Sequence, residues 1–398
     1  MLNIKQISNY REFEGCKGIW NDLLEKSNVD NVFMTYEWVD TYIKHFCSSQ
    51  RLLILNVFEG DRLIGIAPLM IRKSKYLGLP VRVVSFVGAG VSDRMDFILT
   101  GDKEKAIYLV LDYLMGIKSE WDLIDLEEIS EDSPSAGIIG KWLREKNVLS
   151  FSGPQKRSFF IQFDGNRRLL IDKFSGKLNK KLVKLNNKNI KMDMDPPKSA
   201  ARPAQNMSSG QILLGFKRYR VRPSEAEGLF SDICDVESRS WQGKEQKGIF
   251  SKKPSRDFHK EIFDRFSKNG QLDISILISE KKPIAYIYNY LYGGRSYNYN
   301  IAFDDVHKDL SVGTMLMFWM LKDSAAGDIL EFDFIRGEEP WKKRLTDSFK
   351  LHDRVRIFKG SFYSRYLYIL QSKIMPYFRK KSMLRKMWIN IKERLGWR

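Results

Sequence analysis

Tyr297-Asn298-Tyr299-Asn300-Ile301-Ala302-Phe303-Asp304-Asp305-Val306-His307-Lys308-Asp309-Leu310-Ser311-Val312-Gly313-Thr314 is the stretch whose reading decides the fold. A β-rich run ends in a polar loop, and helical periodicity begins at once, so the pattern predicts a strand at Ser296–Phe303 and a helix over Val312–Ala325. The next β-rich run, Ile329–Phe334, leads into Ile335-Arg336-Gly337-Glu338-Glu339-Pro340-Trp341-Lys342. A strand feeding a Gly-bearing loop at a helix N-terminus leaves N–H groups that, with the helix dipole, favour an anion such as a pyrophosphate. The same residues also read as a capped helix with Ser311 as its N-cap. Asp333 inside a buried-type run, followed by Arg336-Gly337 and an acid pair, stands where α/β domains place polar functional groups. An Asp–Arg ion pair closing the loop would look the same.

Working outward, Leu272–Ser279, a turn at Glu280–Pro283 and Ile284–Tyr292 form a hairpin that precedes this unit. The first half has the same order. Leu52–Phe58 and Leu63–Arg72 flank a turn, Val81–Val87 and Asp96–Leu99 continue the sheet, and helix Glu104–Ile117 leads to strand Asp122–Leu126. Recurrence at a separation of roughly 220 residues is too long for a solenoid and predicts a duplicated α/β domain. Between the halves, Phe174–Met192 places Leu178, Leu182 and Leu185 among lysines as a basic amphipathic helix, and Asp195–Gly210 reads as a flexible linker. The expected organisation is a domain over 1–165, helix and linker over 166–215, a second domain over 216–362 and a basic tail over 363–398.

The net charge is +18 over 398 residues, but sixteen of those charges lie in two segments. Residues 365–398 carry ten basic side chains against Glu393, and residues 173–191 carry seven lysines and no acid. The near-neutral remainder excludes a generally basic nucleic-acid coat. Cys16, Cys47 and Cys234 are scattered, and so are the four histidines, so neither a disulfide scaffold nor a metal is expected. No apolar run is long enough to span a membrane, and the start lacks a leader pattern, so the chain reads as cytoplasmic. G-x-S-x-G, P-loop and dinucleotide signatures are absent, and Gly88-Ala89-Gly90 reads as a turn.

The combination Tyr297-x-Tyr299-x-x-Ala302-Phe303-Asp304, Ser311-x-Gly313 and Asp333-Phe334-x-Arg336-Gly337-x-Glu339-Pro340-Trp341-Lys342 resembles the acetyltransferases typified by cellulose-biosynthesis accessory proteins (CelD/BcsL-like). Ser240-Trp241, Phe258 and the first-half Ile64-Gly65-x-x-Pro68-Leu69 also fit, and the resemblance spans most of residues 20–360. That family lies in the GNAT superfamily, and its layout is similar to that of the Fem aminoacyltransferases. The resemblance implies two tandem GNAT-like domains, each a mixed, mostly antiparallel sheet flanked by helices. It also implies an N-acyltransferase that uses acetyl-CoA or another acyl-CoA and no metal. The superfamily's pyrophosphate loop maps onto Lys308, Ser311, Val312, Gly313 and Thr314, with Ser311 in place of a glycine and Val312 in place of a proline.

Acyl transfer to an amine needs a polarised thioester and a neutral amine, whose free pKa of about 10 calls for a proton acceptor or desolvation. Of the acids Asp304, Asp333, Glu338 and Glu339, Glu339 reads as the base, with Asp333 and Arg336 orienting it; ion pairs with Lys342 and Arg344 are the plain alternative. Trp241, Tyr299, Asp304 and Lys342 are the candidate acceptor contacts, with ordinary core or rim burial as the other reading of the aromatics. The expected acceptor is a small-molecule amine, most simply an amino-sugar or an envelope or exopolysaccharide precursor, and the first domain would be structural, forming one wall of the acceptor cleft. Two other functions compete. One is a Fem-like transferase using aminoacyl-tRNA, in which the Lys177–Lys191 helix would contact RNA phosphates, and against which only one short helix stands where that family has a two-helix arm. The other is a non-catalytic GNAT-fold scaffold of a polysaccharide synthase complex. From Tyr363 on, Tyr366, Leu370, Ile374 and Tyr377, then Leu384, Trp388, Ile391 and Leu395, alternate with basic residues. That pattern fits a peripheral anchor on the anionic inner face of a membrane, or else a helix packed on the protein with a solvated basic face.

Overall fold

Both halves fold as an antiparallel three-strand meander, a helix, and a strand returning parallel to the third. The computed structural model describes all residues except Asn28, Asp30, 187–189, 194–211 and 375–398. It divides into two compact units, Met1–Arg157 with Lys350–Arg398, and Ser158–Phe349.

The first unit begins with β1 (Leu2–Ile7) and helices α1 (Tyr10–Glu14), α2 (Lys17–Glu25) and α3 (Tyr36–Phe46). Then come β2 (Arg51–Glu59), β3 (Arg62–Tyr76), β4 (Leu79–Phe86), β5 (Ile98–Leu99), α4 (Lys103–Gly116), β6 (Leu123–Ser130) and α5 (Ser135–Glu145). The sheet order is β1-β2-β3-β4-β6, with β4 and β6 parallel and β5 paired to β3. Leu52–Val57 and Ile64–Met70 are buried almost without interruption, as expected of strands covered on both faces. The predicted turn at Gly88–Gly90 is present, with both glycines at positive φ.

β7 (Ser150–Gln162) contributes its last five residues to the second unit. That unit continues with α6 (Arg167–Asn186), β8 (Ile190–Asp193), β9 (Ile212–Arg220), α7 (Pro223–Arg239), the short α8 (Trp241–Lys244) and α9 (Lys253–Lys268). It is completed by β10 (Leu272–Ser279), β11 (Lys282–Tyr292), β12 (Arg295–Phe303), a 3-10 turn (Asp305–Leu310), α10 (Val312–Ala326), β13 (Glu331–Arg336) and α11 (Pro340–Lys343). The sheet order is β7-β13-β12-β11-β10-β9-β8, antiparallel except at β12–β13 and β8–β9. Most of α10 is buried because the sheet covers one face and α6 another, through Phe174, Leu178 and Leu185. β14 (Phe349–Phe358) and α12 (Phe362–Ile369) then return to the first unit, where β14 pairs antiparallel with β6.

Three sequence expectations change. The division of the chain places residues from Lys350 in the first unit, because β14, which follows the second unit in sequence, pairs with β6 of the first, while the end of β7 pairs with β13 of the second. The helix expected at Phe174–Met192 starts at Arg167, ends at Asn186 and packs into the second unit's core, so it is not part of a linker; the linker Asp195–Gly210 falls outside the described residues. In α12 the held side is Ser364, Leu367 and Tyr368, with Tyr368 stacked 4.9 Å from Phe151; Tyr366, Ile369 and Ile374 of the expected apolar region point outward. The rest of that pattern, from residue 375, lies outside the described residues. Among the described residues no helix is long and apolar enough to cross a membrane.

Candidate active site

β12 and β13 pair only at Arg295–Tyr297 with Glu331–Asp333 and then diverge. Two irregularities drive them apart. Tyr299 is an extra residue in the register between β11 and β12. In β13, Ile335 takes a left-handed φ of 49°, its N–H donating to Asp333 Oδ1 at 2.8 Å, and Arg336 resumes pairing on β7. A β-branched residue at positive φ is strained, and such strain concentrates at functional sites. The gap opens into a cavity of about 1200 Å³, walled by Asn298, Tyr299 and Asn300 on one side and Phe334, Ile335 and Arg336 on the other.

The N-terminus of α10 faces this cavity through Ser311, Gly313 and Thr314. Ser311 has a left-handed φ of 57° and its side chain makes no capping bond; its Oγ instead accepts from Lys181 Nζ at 3.2 Å. The N-cap expected from the sequence is therefore present as a position and absent as a side-chain cap. Met315 is the first residue whose N–H bonds back, to Ser311 O, so the preceding N–H groups of the first turn have no partner within the helix. Gly313 leaves little room for a side chain: a Cβ there would lie 3.0 Å from the Phe303 ring.

Lys177, Lys180, Lys181 and Lys184 of α6 also line the cavity. Burial, and after it the neighbouring Lys173, lowers the pKa of Lys177. On the opposite wall Lys342 is buried and its Nζ holds Glu339 Oε2 at 2.9 Å and Arg336 O at 2.9 Å. Gly337, at φ 121°, admits this arrangement, since a Cβ there would come within 2.5 Å of Glu339 Oε2.

Trp241 and Gln242 enter from the loop after α7. Glu237 organises that loop: its buried carboxylate accepts from Ile249 N, Phe250 N, Tyr286 Oη and Asn300 Nδ2, at 2.7 to 3.2 Å. Burial raises its pKa in spite of those donors. Trp241 N and Lys244 Nζ both reach Asp305, which ties the loop to the 3-10 turn. Gln242 Oε1 is buried against the cavity with no donor among the described residues. A second relay, Arg218–Asp273–Asn289–Asn298, fixes the Asn298 amide with its Nδ2 donating to Asn289 Oδ1. Behind Tyr299 sit Tyr288, Tyr290 and His259; burial alone drives the His259 pKa down to about 3, so it is neutral.

Of the residues singled out from sequence, Ser311, Gly313, Thr314, Trp241, Tyr299, Arg336, Glu339 and Lys342 meet at this cavity. Lys308, Val312, Asp304 and Asp333 do not line it. Val312 is buried in the core, Asp304 pairs with Arg239 at 2.9 Å, and Asp333 holds the β13 bulge. The α6 lysines were singled out only as RNA phosphate contacts in the aminoacyl-tRNA reading, on a legible i, i+3, i+4, i+7 spacing; Gln242, Asn298, Asn300 and Glu237 were not among the candidates.

Residues 213–343 match the family described as the acetyltransferase (GNAT) domain. Among solved structures, FemX has a TM-score of 0.54 at 10% identity, covering 91% of this chain and 100% of its own. A conserved protein of unknown function from Bacteroides thetaiotaomicron gives 0.51 at 7% identity, over 90% and 100%. An Agrobacterium fabrum domain, described as the C-terminal part of a lysylphosphatidylglycerol synthetase, gives 0.50 at 9% identity, over 90% and 97%. No curated protein matches the chain in sequence. With its parallel β12–β13 pair splayed beside the N-terminus of α10, the second unit has the fold of a GNAT acetyltransferase domain.

Proposed function

We propose that the second unit is an acyl-CoA-dependent N-acyltransferase. The observation that supports this most strongly is the opening of the β12–β13 gap onto the N-terminus of α10, one elongated space with an anion-binding end. The donor set suits a CoA thioester: unpaired helix N–H groups and lysines for phosphates, a glycine where a side chain would intrude, and the orphaned Gln242 Oε1 for an amide N–H. When bound, the thioester supplies an activated acyl group. Overall, the acceptor nitrogen gains a bond to the acyl carbon, the C–S bond breaks, and the amine's proton is lost as the thiol gains one.

In this reading α10 orients the donor, Trp241 and Tyr299 flank the acceptor, and Glu339 takes the proton with Lys342 fixing its position. Crowded cations on the walls also disfavour an ammonium and so keep the acceptor amine neutral. The sequence resemblance makes an amino-sugar or an envelope or exopolysaccharide precursor the acceptor of choice. The basic tail, following the outward Tyr366, Ile369 and Ile374, would hold the enzyme at an anionic membrane.

Calorimetry with acetyl-CoA tests the donor. The native protein should bind it saturably, and Thr314→Trp, an exposed position on the cavity rim, should weaken binding by at least about tenfold. Gly313→Trp should abolish it. Absence of binding by the native protein, with a salt-dependent gel shift of tRNA instead, would favour the aminoacyl-tRNA reading.

A further inference from the structure

α6 lies outside residues 213–343, the part that matches the acetyltransferase family, yet it supplies a whole wall of the cavity. Its apolar side, Phe174, Leu178 and Leu185, is committed to the core. The flanking row Lys177, Lys180, Lys181 and Lys184 is directed to the cavity, and among the described residues none of the four is paired with a carboxylate. Asp172 is the helix's only acid, so four like charges crowd two turns of one helix with nothing to offset them. Each such i, i+3 or i, i+4 pair of like charges destabilises an isolated helix. Two of the lysines are also held in place by the site: Lys177 Nζ donates to Arg344 O at 3.2 Å, and Lys181 reaches Ser311 at the α10 N-terminus.

We infer that this row is a second phosphate subsite, which binds the ribose 3′-phosphate of the CoA donor while the α10 N-terminus takes the pyrophosphate. This rests on the acyl-CoA reading above. From Lys177 to Lys184 the helix rises roughly 10 Å. Lys181, next to Ser311, marks the pyrophosphate end, and the more exposed Lys180 and Lys184 carry the row toward solvent, where a nucleoside phosphate would lie. The helix thus sets donor specificity: a donor with the 3′-phosphate is favoured over the same molecule without it.

The test is calorimetry of the full-length protein with CoA and with dephospho-CoA, at two salt concentrations. The native protein should bind CoA at least about tenfold more tightly, with a steeper loss in salt. The double variant K180Q/K184Q should bind both ligands alike, at the affinity the native protein has for dephospho-CoA, while retaining the circular dichroism of the parent. Equal affinity of the native protein for the two ligands would overturn the subsite and leave the acyl-CoA reading standing. Discrimination that survives K180Q/K184Q and also K177Q/K181Q would do the same. If the native protein binds neither ligand, the donor reading and the subsite both fall.

Discussion

His259 is held neutral because it is buried among the rings of Phe250, Phe258 and Tyr299, with Tyr290 Oη 3.5 Å from its Nδ1. Its pKa is about 3 when folded and near 6.5 when exposed, so the unfolded chain takes up a proton first as the pH falls. The stability it permits is complete above pH 6.5 and is lost progressively toward pH 3. Between pH 7.5 and 5 the loss from this group should be about 2 kcal/mol. Guanidinium unfolding of the native protein and of His259→Phe should show that difference in pH dependence; parallel curves would disprove it. For Glu339, the test is catalytic. With glucosamine as acceptor and acetyl-CoA as donor, Glu339→Gln should lower kcat by about a hundredfold or more with donor affinity unchanged.

At the scale of elements, the pairing of α6 with α10 places a row of lysines beside an open helix N-terminus. Leu178 is fully buried in that contact, so Leu178→Ala should cost about 3 kcal/mol in thermal or denaturant unfolding. Because α6 carries the lysine row, donor affinity should fall with it, and raising the protein's stability by osmolytes should not restore that affinity. Across the cavity, the buried Glu237 carboxylate ties Ile249 and Phe250 to Tyr286 and Asn300, an arrangement that no local pattern around Ser240-Trp241 announces.

At the scale of the whole molecule, β14 completes the first unit's sheet against β6, with Arg354 paired to Asp125 and Lys359 to Asp122 at 2.8 Å. A fragment ending at residue 165 leaves the β6 edge open, and such edges aggregate. It should be protease-sensitive and poorly soluble, whereas co-expression with residues 350–374 should rescue it. The tail gives a separate prediction. Full-length protein should float with anionic liposomes, and a chain ending at residue 374 should not; flotation of the truncated chain would remove the tail as anchor.

The sequence by itself determined the repeated hairpin, strand, helix and strand, because those elements follow from local periodicity and turn chemistry. It also determined the acidic and basic composition of the 297–345 segment and the lysine spacing on α6. Eight of its twelve candidate residues meet at one cavity, since the α10 crossover sets β13 parallel beside β12 and so brings the loop before the helix next to the end of the following strand. Only the tertiary structure decided the rest. That β14 joins the first unit and β7 the second depends on pairing between segments far apart in sequence, such as Phe358 with Leu123 and Glu331 with Gln162, and strand sequences with similar patterns carry no record of their partner. That Asp333 supports a bulge, that Asp304 is spent on Arg239, and that a helix outside the family match lines the cavity all depend on where side chains end up in three dimensions. Charge and spacing are properties of the chain, but which charges share a low-dielectric space is a property of the packing.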